Sequence, residues 1–237
     1  YWHLLLRYAP AHTTSGVRSE ARSSHFFLAS NGRDNPLAEL TALAEAVTGS
    51  ATDNNHAACR FPTRAHWLYS QTGLGQPSLN CPAYDEWREL VNPEQATLVF
   101  ASDYLNSPSS MFGHTFLRLD APGQTEDTRL LAYAINFAAE TNTKNPFVFA
   151  FKGLTGGYPG LFSLMPYYEK VKEYSDMENR DLWEDQLSLT PDEVHLLISH
   201  LWELRSVEFP YYFSTRNCSF QLLALMEVAR PGLAMRK

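Results

Sequence analysis

Thr115-Phe116-Leu117-Arg118-Leu119-Asp120 alternates polar and apolar side chains with a period of two, the pattern of a strand with one buried face. Upstream, Thr97-Leu98-Val99-Phe100 is a second β-type run. Downstream of the turn residues Pro122-Gly123, Arg129 to Phe137 predicts a third strand, antiparallel to the second. These segments predict a small antiparallel sheet beginning near residue 96. Before it the signals are helical. Pro36 to Val47 carries Leu37, Leu40, Leu43 and Val47 on one stripe, with Pro at its start and Gly49 past its end. Trp2, Leu5, Leu6 and Tyr8 recur at helical spacing up to Pro10. Residues 50–96, with Cys59, Cys81 and four prolines (Pro62, Pro77, Pro82, Pro93), predict an irregular connector with short helices near Ala65–Tyr69 and Tyr84–Leu90. The fold class is therefore α+β, with residues 1–95 a helical N-terminal subdomain bearing the connector and residues 96–237 a second domain.

Beyond the sheet, Gly153 to Gly160 is glycine-rich but lacks the Gly-Lys-Ser/Thr ending of a phosphate-binding loop, and predicts a flexible loop. Thr190-Pro191-Asp192-Glu193 opens a helix reaching about Arg205, and Asn217 opens another through Leu222, Leu225 and Met226. The run Glu178-Asn179-Arg180-Asp181 reads as a solvated approach to a helix, with an arginine able to hold a phosphate head group. The aromatic residues Phe147, Phe149, Phe151, Tyr158, Phe162, Tyr167 and Tyr168 read either as core or as the walls of an acyl-chain groove.

With 44% hydrophobic and 19% charged residues among 237, the composition is that of a folded globular chain. Its 26 acids against 19 bases, net −7, oppose nucleic-acid binding and simple adhesion to anionic lipid. No apolar run reaches the ~18–20 residues needed to cross a bilayer; the best, Leu130 to Ala139, is broken by Asn136. A start at Tyr1 and an end in Met235-Arg236-Lys237 read as a processed or truncated piece, so a targeting or anchoring element, and with it membrane contact, is expected in a region absent from this chain.

Three cysteines divide into a pair, Cys59 and Cys81, and a single, Cys218. The pair is either a disulfide, which implies an oxidising compartment, or two buried free thiols. Arg216-Asn217-Cys218-Ser219-Phe220 places an N-cap residue before an apolar helical repeat, and so puts Cys218 on the first turn of a helix. A thiol there meets the positive end of the helix dipole, with Arg216 adding to it, a setting that favours the thiolate. The N–H groups of the same helix start, around Asn217 and Ser219, can hold an oxyanion. The alternative is a buried structural cysteine.

A thiolate nucleophile needs a base. His195 and His200 fall roughly 140° apart on one helix, unlike zinc-binding pairs, and His3, His12, His25 and His56 lie in polar or terminal stretches. His114 differs: it opens a strand behind Gly113, with rigid support for its ring. A hairpin between the second and third strands can bring Asn136 beside it as the orienting group, with Tyr133, Asn106 and Tyr211 as weaker alternatives. His114 also reads as a structural residue, and Asn136 as a polar cap on the sheet end. No Cys-x-x-Cys, His-x-x-x-His or Asp-rich calcium loop occurs, so neither a metal nor another cofactor is assigned.

Taken together, Cys59-Arg60-Phe61-Pro62-Thr63-Arg64, Asn106-Ser107-Pro108 running into Ser110-Met111-Phe112-Gly113-His114-Thr115-Phe116, Ala134-Ile135-Asn136-Phe137, Gly156-Gly157-Tyr158 and Asn217-Cys218-Ser219 resemble the Lnb N-terminal periplasmic domain family, from about residue 26 to residue 232. The resemblance implies a circularly permuted papain-like (NlpC-like) fold in which the histidine precedes the cysteine, as it does here. It implies Cys218 as nucleophile and His114 as base in a periplasmic, bacterial acyltransferase. Such an enzyme takes an acyl chain from a phospholipid and passes it to an amine, such as the N-terminus of a lipoprotein. A cysteine amidase or peptidase acting on cell-wall peptides, and a non-catalytic envelope binding or assembly module, are the rival readings.

Overall fold

The computed structural model describes residues 1–11, 16–49, 53–102, 113–141 and 145–233. His12, Asn106 and the segment Ser107 to Phe112 lie outside the described residues. Nine α-helices and eight strands follow in chain order among the described residues. The N-terminal part holds α1 (Trp2–Leu5), β1 (Tyr8–Pro10), β2 (Val17–Ser19), α2 (Pro36–Val47), α3 (Ala57–Arg60), α4 (Pro62–Thr72) and α5 (Pro82–Val91). The sheet region holds β3 (Gln95–Ala101), β4 (His114–Asp120), β5 (Tyr133–Ala139), α6 (Pro146–Thr155), β6 (Tyr158–Pro166), α7 (Tyr167–Val171) and β7 (Leu182–Gln186). α8 (Pro191–Leu204), β8 (Phe209–Tyr211) and α9 (Cys218–Ala229) close the chain. The expected α+β class and small antiparallel sheet are present.

The main sheet has the order β7-β3-β4-β5-β6-β8, every neighbouring pair antiparallel. Its alternation makes two unlike faces. On one, Leu117, Leu119, Ile135 and Phe137 join Val194, Leu197 and Ile198 of α8 and Leu222 and Leu225 of α9 in the principal core. That core also takes in Leu5, Leu6, Phe26 and Leu43 from the N-terminal part. On the other face, Val99, Phe116 and Ala134 pack with Tyr167 and Tyr174.

Several expectations are corrected. Trp2 to Pro10 is not one helix: α1 stops after a single turn, Arg7 adopts φ 56°, and β1 pairs with β2. The third strand begins at Tyr133 because residues 126–131 form a 3-10 turn behind it. The short helix near Ala65–Tyr69 is the longer α4, started by Pro62 and ended by Gly73 in the left-handed region. Gly153 to Gly160 is not a loop. It is the end of α6, a left-handed cap at Gly156, and the first residues of β6. Gly160 serves a close approach: a Cβ there would stand 2.4 Å from Cζ of Phe137. The run at residues 178–181 is not solvated around its arginine. Arg180 is buried, donating to the carbonyls of Ala101 and Ser102 and pairing with Glu178 at 2.9 Å, so it has no head group to hold.

Cys59 and Cys81 form a disulfide tying α3 to the start of α5. Beneath α4, the guanidinium of Arg64 is wholly buried, 3.5 Å from the Glu39 carboxylate and 3.3 Å from that of Glu203, and sandwiched by the rings of Phe26 and Phe61. Glu39 also accepts the backbone N–H groups of Leu28 and Ala29. This cluster fastens the N-terminal part to α8.

Candidate active site

The site is assembled where the sheet meets the start of α9. Gly113, at φ 85°, turns the chain into β4, and a Cβ there would lie 2.5 Å from the Phe100 ring. Glycine is therefore needed immediately before His114. β4 and β5 pair with Leu117 opposite Ile135, which places Asn136 diagonal to His114 on the same face. His114 Nε2 lies 2.6 Å from Asn136 Oδ1. An amide oxygen only accepts, so Nε2 carries the proton of that bond and Nδ1 faces away from Asn136. Asn136 is held in turn by Ser163 of β6, its partner in register, whose Oγ accepts from Nδ2 at 3.4 Å. The imidazole is flanked by the rings of Phe116 at 6.2 Å and Tyr174 at 5.8 Å.

Opposite stands Cys218, the first residue of α9. Asn217 caps the helix by accepting the N–H of Phe220 on Oδ1, and its amide donates to the Phe213 carbonyl at 3.2 Å. Ser219 anchors the same turn to β4 through a 2.9 Å bond between its Oγ and Thr115 Oγ1. Cys218 is the free cysteine of the chain and is buried. Burial pushes its thiol pKa up, but the hydrogen bond and charge of His114 more than offset this, helped by Thr115 N–H and Ser219; the result is about 7. Thiol and thiolate of Cys218 are thus close in free energy near neutral pH.

The residues singled out in the sequence are brought together: Cys218 hydrogen-bonds His114, and His114 hydrogen-bonds Asn136. Two details differ from the sequence reading. Arg216 does not face the thiol. It pairs with Glu20 at 2.6 Å and lies 4.1 Å over the Phe220 ring. Tyr211, weighed as an orienting group for the imidazole, instead directs its buried hydroxyl to Cys218, where it accepts the backbone N–H and donates to the sulfur. Burial first, and the sulfur's charge second, keep that phenol protonated far above its ordinary range. The hydroxyl thus lies between the Cys218 sulfur and the N–H at the start of α9. Ser163 and Tyr174 were not found from the sequence; their segments carry no strand or site signal of their own. The aromatic residues expected as core or groove divide: Tyr158, Phe162 and Tyr167 are core, whereas Phe147, Phe151 and Tyr168 are exposed.

Among the described residues no cluster of His, Cys, Asp or Glu is suited to a metal ion, and no helix is long and apolar enough to cross a membrane. The family model described as the Lnb N-terminal periplasmic domain matches residues 83–237, and a second, described as a domain of unknown function (DUF7843), matches residues 1–71. No curated protein and no solved structure matches the chain.

Proposed function

The chain belongs to the Lnb N-terminal periplasmic domain family, and from that premise we propose that it is a thiol acyltransferase of the cell envelope, built on a circularly permuted papain-like arrangement. The family's periplasmic description and the Cys59–Cys81 disulfide agree on an oxidising compartment. The observation that carries the reading is the hydrogen bond between His114 and the Cys218 thiol, with the thiol pKa brought to about 7 in a buried setting.

In the first half-reaction the Cys218 proton passes to His114 Nδ1, and the thiolate attacks the ester carbonyl of a phospholipid. The negative charge developing on the carbonyl oxygen is met by Cys218 N–H and the Tyr211 hydroxyl, whose bonds to each other and to the sulfur open as the charge leaves the sulfur. Collapse breaks the ester C–O bond, the lysophospholipid oxygen takes the proton from His114, and the acyl group remains as a thioester. In the second half an acceptor amine, such as a lipoprotein N-terminus, attacks the thioester and loses a proton to His114. The C–S bond breaks and the thiolate is restored. Asn136 accepts from Nε2–H throughout and holds the ring in the tautomer that leaves Nδ1 for the sulfur.

Intact-protein mass spectrometry after incubation with phospholipid tests this. The expected result is a mass increase of one acyl chain located on Cys218 and absent in Cys218→Ala. Cleavage of cell-wall peptides without an adduct would assign a hydrolase instead. An unreactive thiol, with biological function kept in Cys218→Ala, would assign a non-catalytic module.

A further inference from the structure

α6 presents the wrong kind of surface to water. Phe147 is 85% exposed, Phe151 68%, Leu154 63% and Val148 40%. At 100° per residue, Phe147, Phe151 and Leu154 fall within about 60° of one another on the helix circumference. The outward face is without charge. The helix is nonetheless firmly built and seated: Asn145 caps it through the N–H groups of Phe147 and Val148, Pro146 starts it and Gly156 ends it. Phe149 packs inward against Tyr158 and Phe213, and Gly153 lies so close to Phe213 that a Cβ there would stand 2.1 Å from the ring. The exposed apolar face is therefore held outward by its own inward contacts.

We propose that α6 is a lipid-contacting element of this chain: Phe147, Phe151 and Leu154 enter the acyl layer of a zwitterionic phospholipid surface, with Lys152 and Glu140 at head-group level. Three observations select this occupant. The exposed area, roughly 450 Å² if a whole aromatic side chain is taken as ~200 Å², is about half the ~800 Å² per partner of a stable protein–protein interface, so a second copy is a poor fit. It suits a shallowly inserted helix, which needs one apolar face and charges only at its margin. The charges complement a zwitterionic head group: Lys152, on the helix flank, and Glu140 line one cavity of about 430 Å³ with Tyr158 and Pro159, offering a cation to a phosphate and an anion to an ammonium. The patch is also continuous with the site. Phe213 donates its N–H to the Gly153 carbonyl at 3.0 Å, and its own carbonyl accepts from Asn217, the cap before Cys218.

This inference rests on the proposed use of a phospholipid donor, yet the two can fail separately. Co-sedimentation of the protein with phosphatidylethanolamine–phosphatidylcholine vesicles is expected to fall tenfold or more in the double variant Phe147→Glu/Phe151→Glu. Circular dichroism should show an unchanged melt. Trp183→Glu, which alters an exposed apolar residue on β7, is expected to bind vesicles as the parent does. Equal binding by the double variant, or no binding by the parent, overturns the proposal. So does lipid-free dimerisation of the parent that the double variant abolishes, which would give the face to a second copy. Vesicle binding by the parent and by Cys218→Ala, both losing it with the double change, supports α6 docking even if no acyl adduct forms on Cys218; in that case only the acyl-transfer reading falls.

Discussion

Burial alone would make the Cys218 proton harder to remove than in water; the hydrogen bond and charge of His114 reverse the balance. Because the folded value, about 7, lies below the ordinary 9.0, folding favours the thiolate. Its contribution to stability is present above the unfolded value and is lost as pH falls through about 7. The rate of iodoacetamide alkylation should follow the thiolate, reaching half its plateau near pH 7 and falling about tenfold per unit below it. In His114→Ala, with burial opposed only by Thr115 N–H and Ser219, the midpoint should move up toward that of an ordinary thiol; a midpoint still near 7 would mean that the imidazole does not set the thiol's acidity. At this scale Cys218 and His114 were legible because a cap, a glycine and a strand start are local signals. The engagement of Arg216 with Glu20, and of Tyr211 with Cys218, was not, since each joins distant parts of the chain.

The start of α9 works as a unit in which one amide has two duties. Asn217 satisfies the Phe220 N–H and grips the Phe213 carbonyl. Asn217→Ala should lower stability by about 1 kcal/mol in chemical denaturation and slow thiol alkylation at pH 7, while Asn217→Asp, which keeps the capping oxygen, should recover most of the stability. Equal stability of parent and Ala variant would show that the cap is dispensable. Helices with explicit starts were read closely: Pro36–Val47 and Pro191–Leu204 carry their caps in sequence, Asn35 and Thr190. The stretch from Gly153 to Gly160 was misread because its glycines mark tertiary contacts. Gly153 clears space for Phe213, and Gly160 for Phe137 and Tyr211. A glycine required by a neighbour remote in sequence looks the same as one required by a turn.

At the scale of the whole molecule, the regions matched by the two family models share one apolar core and one buried charge cluster. Removing Arg64 leaves the carboxylates of Glu39 and Glu203 buried without their cation, so Arg64→Met should cost about 3–5 kcal/mol in urea denaturation. The transition should remain single when followed by fluorescence and by circular dichroism, since neither region can release the cluster alone. Two separated transitions would show instead that the regions fold independently.

The sequence by itself determined what neighbours along the chain can decide: where α2, α8 and α9 begin, the alternation of β4, the family resemblance, and a cysteine on the first turn of a helix. These follow from caps, periodicity and backbone preference, which act over a few residues. Only the tertiary structure decided that Cys218 meets His114, that Ser163 steadies Asn136, that Tyr211 stands at the sulfur, and that α6 turns an apolar face outward. Such outcomes depend on strand register and on which faces remain after the core is filled. They arise from contacts between residues far apart in the chain, which no local pattern encodes.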